Sequence, residues 1–365
     1  MKLSKVGIVG AGQLGRMLAL SAYPLGVSCL FLDRSADAPG GQVAPILVGE
    51  LDDPGRLEEL ALRSDVLTFD WENIPGCSLA PLRKLTRIRP PRAALEVSQD
   101  RLREKALFSA LKIPVAAHSR VDARKDLVRA TAKLGCRGIL KTRRMGYDGK
   151  GQCLIERAED IDVAWDRIGG AGLIYEKLQA FSREISIIGA RSQTGDIAFY
   201  PLSENIHSGG VLRYSLAPFV DEPLERMARR HLTKVMEHLK YVGVLAIEFF
   251  VVDGRLVANE MAPRVHNSGH WTIEGCITSQ FENHMRAICG LPLGSTRALG
   301  HAAMINFLGQ MPDISRLLAM EGLGFHDYGK AQRAGRKLGH CTILRTTARD
   351  RNRALADALK LITWC

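Results

Sequence analysis

Glu248 sits in the run VLAIEFF, and Glu260 follows twelve residues later in NEM. A carboxylate between Ile and Phe is expensive to bury unless it is paired or binds a metal. The stretch NEMAPRVHNSGH, residues 259–270, adds Asn259, Arg264, His266, Asn267, Ser268 and His270 with almost no apolar filler. Two carboxylates with Asn259 make an all-oxygen set, which suits Mg²⁺ bridging nucleotide phosphates. The competing arrangement is a salt bridge from one glutamate to Arg264 with the other exposed. His266 and His270 have the four-residue spacing of a zinc-binding helix, but Ser268 and Gly269 between them disfavour a helix. A ligand-binding loop beside the carboxylates fits them better.

Two glycine-rich turns could meet phosphates. GAGQLG (10–15) has the GxGxxG spacing after a strand and before a helix, with Asp33 closing the next strand. That pattern serves dinucleotides and also many mononucleotide folds, so its ligand stays open. GYDGKGQ (146–152) has three glycines in six residues, more than a hairpin turn needs. A flap laid over phosphates uses such a permissive backbone and its N–H groups, and Lys141 just upstream adds a point charge.

These groups need elements to hold them. Short apolar runs at 5–10, 27–33, 46–50 and 66–70 alternate with helical patterns after Gln13 and over 54–63, which predicts βαβ units and a parallel sheet. WENIPG and RIRPPR break this pattern and suggest a boundary near residue 95. Helices are expected from Asp100 to Pro114, over 124–134, over 159–168 and over 222–240; strands over 138–142, 172–178, 184–190 and 197–202. GVLAIEFFVVDGRLVANEM is the clearest hairpin, with Asp253-Gly254 at its tip. A two-residue loop would pair Val252 with Arg255 and put Glu248 opposite Asn259. Joint metal binding by Glu248 and Glu260 therefore predicts an odd loop, Asp253-Gly254-Arg255, pairing Val252 with Leu256.

Composition narrows the setting. The chain has 365 residues, 46% hydrophobic and 24% charged, enough for two or three domains. No apolar run reaches the roughly 20 residues of a membrane span, and Gln13 and Arg16 interrupt the only early apolar stretch. The eight cysteines form no CxxC pair, which argues against zinc sites and disulfide frameworks and for a reducing cytoplasm. A net charge of +11 suits nucleic acid or phosphorylated small substrates. Aromatic residues are 6% and do not interleave with basic clusters, so single-strand stacking platforms are not evident.

With these pieces assembled, the chain resembles the ATP-grasp superfamily and, within it, the ATP- and bicarbonate-dependent carboxylases of purine biosynthesis. GAGQLGRM, WENI, GYDGKGQ, EISIIGAR, YPLSENIH, NEMAPRVHNSGHWT, SQFENH and GRKLGH carry the resemblance over essentially the whole length. It implies an α/β ATP-grasp fold with a Rossmann-like N-terminal (pre-ATP-grasp) domain over 1–97. The ATP-grasp domain follows over 98–290, its lid at about 115–178, with a small C-terminal domain over 291–365. ATP would meet Arg101, Lys141 and the flap residues Gly146, Tyr147, Asp148, Gly149, Lys150, Gly151 and Gln152. Glu176, Lys177, Leu178 and Gln179 would lie at the adenine, with Glu184, His207, Asn259 and Glu260 completing the nucleotide site. Glu248 and Glu260 would hold Mg²⁺, with Mn²⁺ as an alternative.

The resemblance implies that Gln13, Leu14, Glu72, Asn73, Tyr147, Asp148, Arg264, His266, Asn267 and Ser268 meet the acceptor, 5-aminoimidazole ribonucleotide, or the carboxylating species. Lys330, Arg336 and Lys337 would sit beside its 5′-phosphate, and Tyr147, Asp148, Arg264 and Lys141 would be catalytic. GAGQLG would approach the ribonucleotide with no NAD. A homodimer is suggested, with no nucleic-acid or membrane partner. Two residues depart from the pattern. Met145 stands where a further Gly is frequent, which would stiffen the flap, and Asp70 where Glu is usual. The rivals are a formate-dependent ATP-grasp enzyme that formylates glycinamide ribonucleotide, an NAD-dependent dehydrogenase built on GAGQLG and Asp33, and a basic nucleic-acid-binding protein. Formylation is disfavoured by PRVHNSGHWT, and a dehydrogenase leaves Glu248, Glu260 and the flap unexplained.

Overall fold

The computed structural model describes residues 4–146 and 149–364. Five parallel strands open the chain, in the spatial order Ile46–Val48, Ser28–Asp33, Lys5–Val9, Val66–Phe69, Arg87–Ile88. The strands Lys5–Val9 and Val66–Phe69 are buried almost throughout, as expected for a parallel sheet covered on both faces. The order reverses at Lys5–Val9, so a crevice opens at the carboxyl ends of the central strands. Gly10–Gly15, Asp33 and Asp70 lie there.

A smaller antiparallel sheet follows, in the order His118–Val121, Leu173–Lys177, Gly138–Thr142, Gln152–Ile155. The helices Arg124–Leu134 and Asp160–Ile168 cover it through Leu127, Ala130, Ile161 and Ala164.

The central sheet has nine strands. Its main path runs Arg255–Ala262, Gly243–Val252, Arg183–Arg191, Ser203–Ser208, Val211–Ala217, His301–Leu308, Lys337–Arg345, Leu323–Asp327. The last three come from the C-terminal quarter of the chain, so that segment extends the central sheet and brings Lys337 to its site end. Helix Glu222–His238 packs on this sheet through Leu224, Ala228, Leu232, Val235 and Met236, an i, i+4, i+8 stripe. The Asp221 side chain caps it by accepting the Leu224 N–H at 3.0 Å.

Helix Gln280–Cys289 wedges between the N-terminal and central sheets. It buries Phe281, Met285 and Ile288, each contributing on the order of 1.5–3 kcal/mol. His284 clamps both sides. Its Nδ1 accepts the Val244 N–H at 3.1 Å, which leaves Nε2–H to meet Thr68 Oγ1 at 2.9 Å. The two sheets are thereby held in one relation around the crevice. No described helix is long and apolar enough to cross a membrane.

The hairpin corrects one expectation and fulfils its purpose. Its loop has two residues, Asp253 at φ 48° and Gly254 at φ 70°, and Val252 pairs with Arg255. Both central residues are left-handed, the signature of a type I′ turn whose twist suits the strands. The register then shifts between Phe249↔Ala258 and Glu248↔Glu260, leaving Asn259 as an extra residue. This β-bulge, rather than an odd loop, puts the two glutamates opposite each other and hence on one face.

Candidate active site

The parallel sheet, the bulged hairpin and the C-terminal strands enclose a cleft of about 780 Å³. Of the residues expected at the acceptor, Gln13, Leu14, Glu72, Asn73, Arg264, His266, Asn267, Lys330, Arg336 and Lys337 line it. Arg101, Gly146, Lys150 and Glu260, expected at the nucleotide, also line it. Tyr147 and Asp148 lie outside the described residues.

Three amides of the glycine turn are taken by the protein's own carboxylates. Gly12 N donates to Asp70 Oδ2 at 2.7 Å, Gly15 N to the same oxygen at 3.3 Å, and Ala11 N to Asp33 Oδ2 at 2.7 Å. A Cβ on Gly10 would lie 1.8 Å from Asp70 Oδ1, so the missing side chain makes room for the protein's own carboxylate. Asp33, the would-be ribose ligand of a dinucleotide site, is spent on the turn. These contacts occupy amides that a dinucleotide's pyrophosphate would use. Burial pushes the Asp70 carboxyl up to about 6 despite the two amides it accepts.

Beside Arg101, Lys141 Nζ lies 3.1 Å and Lys105 Nζ 3.4 Å from Glu176 Oε2, all three nearly buried. Burial raises the Glu176 carboxyl, but the two ammoniums and Arg101 outweigh it and bring it to about 2. Arg101 Nη1 reaches Glu260 Oε2 at 3.2 Å, linking this cluster to the hairpin. His207 Nδ1 lies 3.0 Å from Glu184 Oε2 beyond it. Lys177 ends the strand Leu173–Lys177, and Gln179 Nε2 folds back onto its carbonyl at 3.0 Å. Leu178 gives its N–H to Arg137 O at 3.0 Å, which leaves its carbonyl as the open backbone group there. The flap rests near the turn after Ser208: a Cβ on Gly149 (φ 75°) would meet Gly209 O at 2.6 Å. Met145 adopts φ 62°, a conformation that suits Gly better than Met.

Glu248 and Glu260 face each other at the junction, with His266 Nε2 at 3.7 Å from Glu248 Oε1. Burial raises the Glu248 carboxyl to about 7; His207 counteracts this while Glu260 and Glu184 add to it. Arg264 does not bridge to either. It grips Glu72 through Nε and through Nη2 at 2.9 Å. Arg101 pairs with Glu260 instead, and among the described residues Glu248 is left without a guanidinium partner. Among the described residues, no three His, Cys, Asp or Glu side chains converge as a closed metal cage. Two carboxylates with Asn259 in the bulge fit Mg²⁺, which takes its remaining ligands from phosphates and water.

Two further placements differ from expectation. Ser268 is fully buried behind His266 rather than at the cleft surface. His270, left out of the expected site set, lines the cleft, its Nδ1 held by Gln280 Nε2 at 3.4 Å. Four-residue spacing to His266 flagged it, but only the glutamine ten residues on fixes its ring.

Glu104 is another buried carboxyl beside the cleft. Burial and then the Glu260 charge raise it to about 8, and it accepts the Met261 N–H at 2.7 Å. Its folded pKa lies above the unfolded value, so its stabilisation is complete in acid and is lost as pH rises through the folded pKa. In metal-free protein, Glu104→Gln keeps the acceptor and is expected to flatten the decline in denaturant midpoint between about pH 5 and about pH 8. An unchanged decline in the variant would contradict this.

The family model for the "ATP-grasp domain" matches residues 106–281, that for the "Ribonucleotide synthetase preATP-grasp domain" residues 3–99, and that for the "Phosphoribosylaminoimidazole carboxylase C-terminal domain" residues 302–354. The N5-carboxyaminoimidazole ribonucleotide synthase of Pseudomonas aeruginosa is 43% identical over 339 residues, covering 93% of this chain and 94% of its own. The crystal structure of N5-carboxyaminoimidazole ribonucleotide synthetase from Thermus thermophilus superposes with a TM-score of 0.94 at 48% identity, covering 99% of both chains. The synthase of Aspergillus clavatus, solved with ADP and 5-aminoimidazole ribonucleotide, gives 0.92 at 27% identity over 98% of both. With the cleft, the bulged glutamate pair and the three-part sheet architecture in agreement, the chain belongs to the N5-carboxyaminoimidazole ribonucleotide synthase family of ATP-grasp ligases.

Proposed function

We propose that the cleft carboxylates the exocyclic amine of 5-aminoimidazole ribonucleotide, consuming ATP and bicarbonate and releasing ADP and phosphate in purine biosynthesis. The observation that carries it is the opposition of Glu248 and Glu260 between a nucleotide-side Lys–Glu cluster and a cationic acceptor cleft. Bicarbonate oxygen attacks the γ-phosphorus of ATP, giving carboxyphosphate and ADP. The amine nitrogen then takes the carboxyl carbon, phosphate departs, and the amine loses one proton to leave a carbamate.

Lys141, Lys150 and the amides of Gly146, Gly149 and Gly151 hold the phosphates, and Gln152 anchors the flap's return strand. Mg²⁺ or Mn²⁺ held by Glu248, Glu260 and Asn259 would neutralise charge on the transferring phosphoryl group. Arg264, fixed by Glu72, and the ring of His266 orient the carboxyl donor against the amine. The flap and cleft walls exclude water, which would otherwise hydrolyse carboxyphosphate. Carbon-13 bicarbonate should appear in an acid-labile carbamate on the product; incorporation independent of ATP would contradict the reading. A cytoplasmic setting fits the described cysteines, all free. A homodimer is proposed on the resemblance alone, and sedimentation measures it directly.

The acceptor's phosphate is assigned to the C-terminal cations. Lys337 opens the strand Lys337–Arg345 after Gly335 at φ 70°, and Lys330 Nζ contacts Gln13 Oε1 across the cleft. Losing one charge-assisted contact costs on the order of 1.5–3 kcal/mol. Lys337→Ala is therefore expected to raise KM for the ribonucleotide by roughly one to two decades, with KM for ATP little changed. Weaker ATP with an untouched acceptor would show that this segment serves the other substrate.

A further inference from the structure

The hydrogen bonds behind His266 determine which of its nitrogens faces the cleft. The backbone N–H of Ser268 meets His266 Nδ1 at 3.3 Å, within the short turn Asn267–Gly269. A backbone N–H can only donate, so Nδ1 holds a lone pair and the proton of the neutral ring sits on Nε2. The Ser268 hydroxyl lies 2.8 Å from the same Nδ1 and 2.7 Å from Ser186 Oγ. Both serines are closed off from solvent, Ser268 at 0% and Ser186 at 1% exposure. No water is therefore needed to complete this chain: Ser186 can donate to Ser268, and Ser268 to His266. Nε2, on the far side of the ring, lies 3.7 Å from Glu248 Oε1. Ser186 is itself the register partner of Glu248, so one pair of strands sets both the carboxylate and the end of the chain. The peptide of His266 is pinned as well. Gln280 Oε1 accepts its N–H at 2.9 Å and Gln280 Nε2 donates to its carbonyl at 2.7 Å.

We infer that the Ser268 N–H sets His266 as the Nε2–H tautomer and that the Ser268 and Ser186 hydroxyls reinforce it as positioning residues, so that the ring offers the cleft an N–H donor and not a lone pair. Ser268 thereby acts on the reaction through His266, from behind it. The consequence for turnover rests on the carboxylase reading, whereas the tautomer does not. A ring free to exchange tautomers would present the wrong nitrogen in part of its population, and the reacting oxygen would lose a donor in that part. Binding of ATP, which takes no contact from either serine in this reading, would be unaffected.

The test is a long-range proton–nitrogen correlation spectrum of the ¹⁵N-histidine-labelled protein, with His266 assigned by its loss in His266→Gln. The wild type is expected to show a protonated Nε2 and an unprotonated Nδ1. Ser268→Ala removes the shorter 2.8 Å contact and leaves only the 3.3 Å backbone N–H at Nδ1, so it is expected to raise the Nδ1–H population and to lower kcat of bicarbonate-dependent ADP release about tenfold, with KM for ATP unchanged. Ser186→Ala, which leaves the turn itself intact, is expected to move both readouts the same way by a smaller factor. Ser268→Thr, which restores a hydroxyl, should recover the wild-type spectrum and most of the rate. A wild-type ring protonated on Nδ1 overturns the inference, as do serine variants that keep both tautomer and kcat. A wild-type Nε2–H ring locked by the serines, in a protein without bicarbonate turnover, would uphold it and sink the carboxylase reading instead.

Discussion

Glu248→Gln is expected to cost about three decades in kcat/KM, on the order of 4 kcal/mol of transition-state stabilisation, with the fold intact. The amide keeps the shape and one acceptor oxygen but removes the charge that would hold the metal opposite Glu260. Stability should move the other way. The Glu248 carboxyl is raised to about 7, first by burial, with the Glu260 and Glu184 charges adding to it. In metal-free wild type, the folded state therefore holds a proton that the unfolded chain has lost, and stability declines as pH rises through the folded value. The variant does not titrate there, so its Tm should exceed that of the wild type at about pH 8 without metal. Added Mg²⁺ should close or reverse the gap by stabilising the wild type alone. Equal Mg²⁺ stabilisation of both proteins would remove Glu248 from the metal site.

Lys141→Ala ranks second. Lys141 and Lys105 share Glu176, and Lys141 is the member held at the edge of the flap strand pair, opposite Gln152. Burial lowers its pKa and the Glu176 carboxylate counteracts this, so the lysine is desolvated but charge-balanced. Removing it strips one fixed positive charge from the phosphate path, at a cost of about 3–4 kcal/mol or two to three decades in kcat. Lys105 remains to keep Glu176 ionised, so the unfolding midpoint should fall only modestly. Lys141→Arg is not expected to restore the rate, because a planar guanidinium cannot replace a compact ammonium in so closed a site. Single-turnover ADP formation measures the effect; a variant that loses acceptor affinity but keeps phosphoryl transfer would contradict the role.

The hairpin shows what sequence reasoning could reach. Asp253-Gly254 marks the turn by its chemistry, and a glutamate between Ile247 and Phe249 marks the site by its cost. The required opposition of Glu248 and Glu260 was legible, but the device was not. A bulge at Asn259 leaves no local pattern, whereas an odd loop satisfies the same parity on paper. The glycine turn was read from spacing alone, and spacing cannot reveal that a carboxylate 58 residues away fills the cradle. The small C-terminal domain was legible, but not that its three strands join the central sheet, because strand order within a sheet is non-local and His301–Leu308 finds Val211–Ala217 across some ninety residues. The buried serine chain behind His266 carried no signal: Ser186 sits in an ordinary apolar strand pattern.

The most direct measurement of the central claim is ADP release from ATP and Mg²⁺, run with bicarbonate, with formate and with neither, each with and without 5-aminoimidazole ribonucleotide. ADP release is expected to require bicarbonate and to rise when the ribonucleotide is added, with formate no better than the blank. Equal turnover with formate, or release indifferent to bicarbonate, would contradict the carboxylase account.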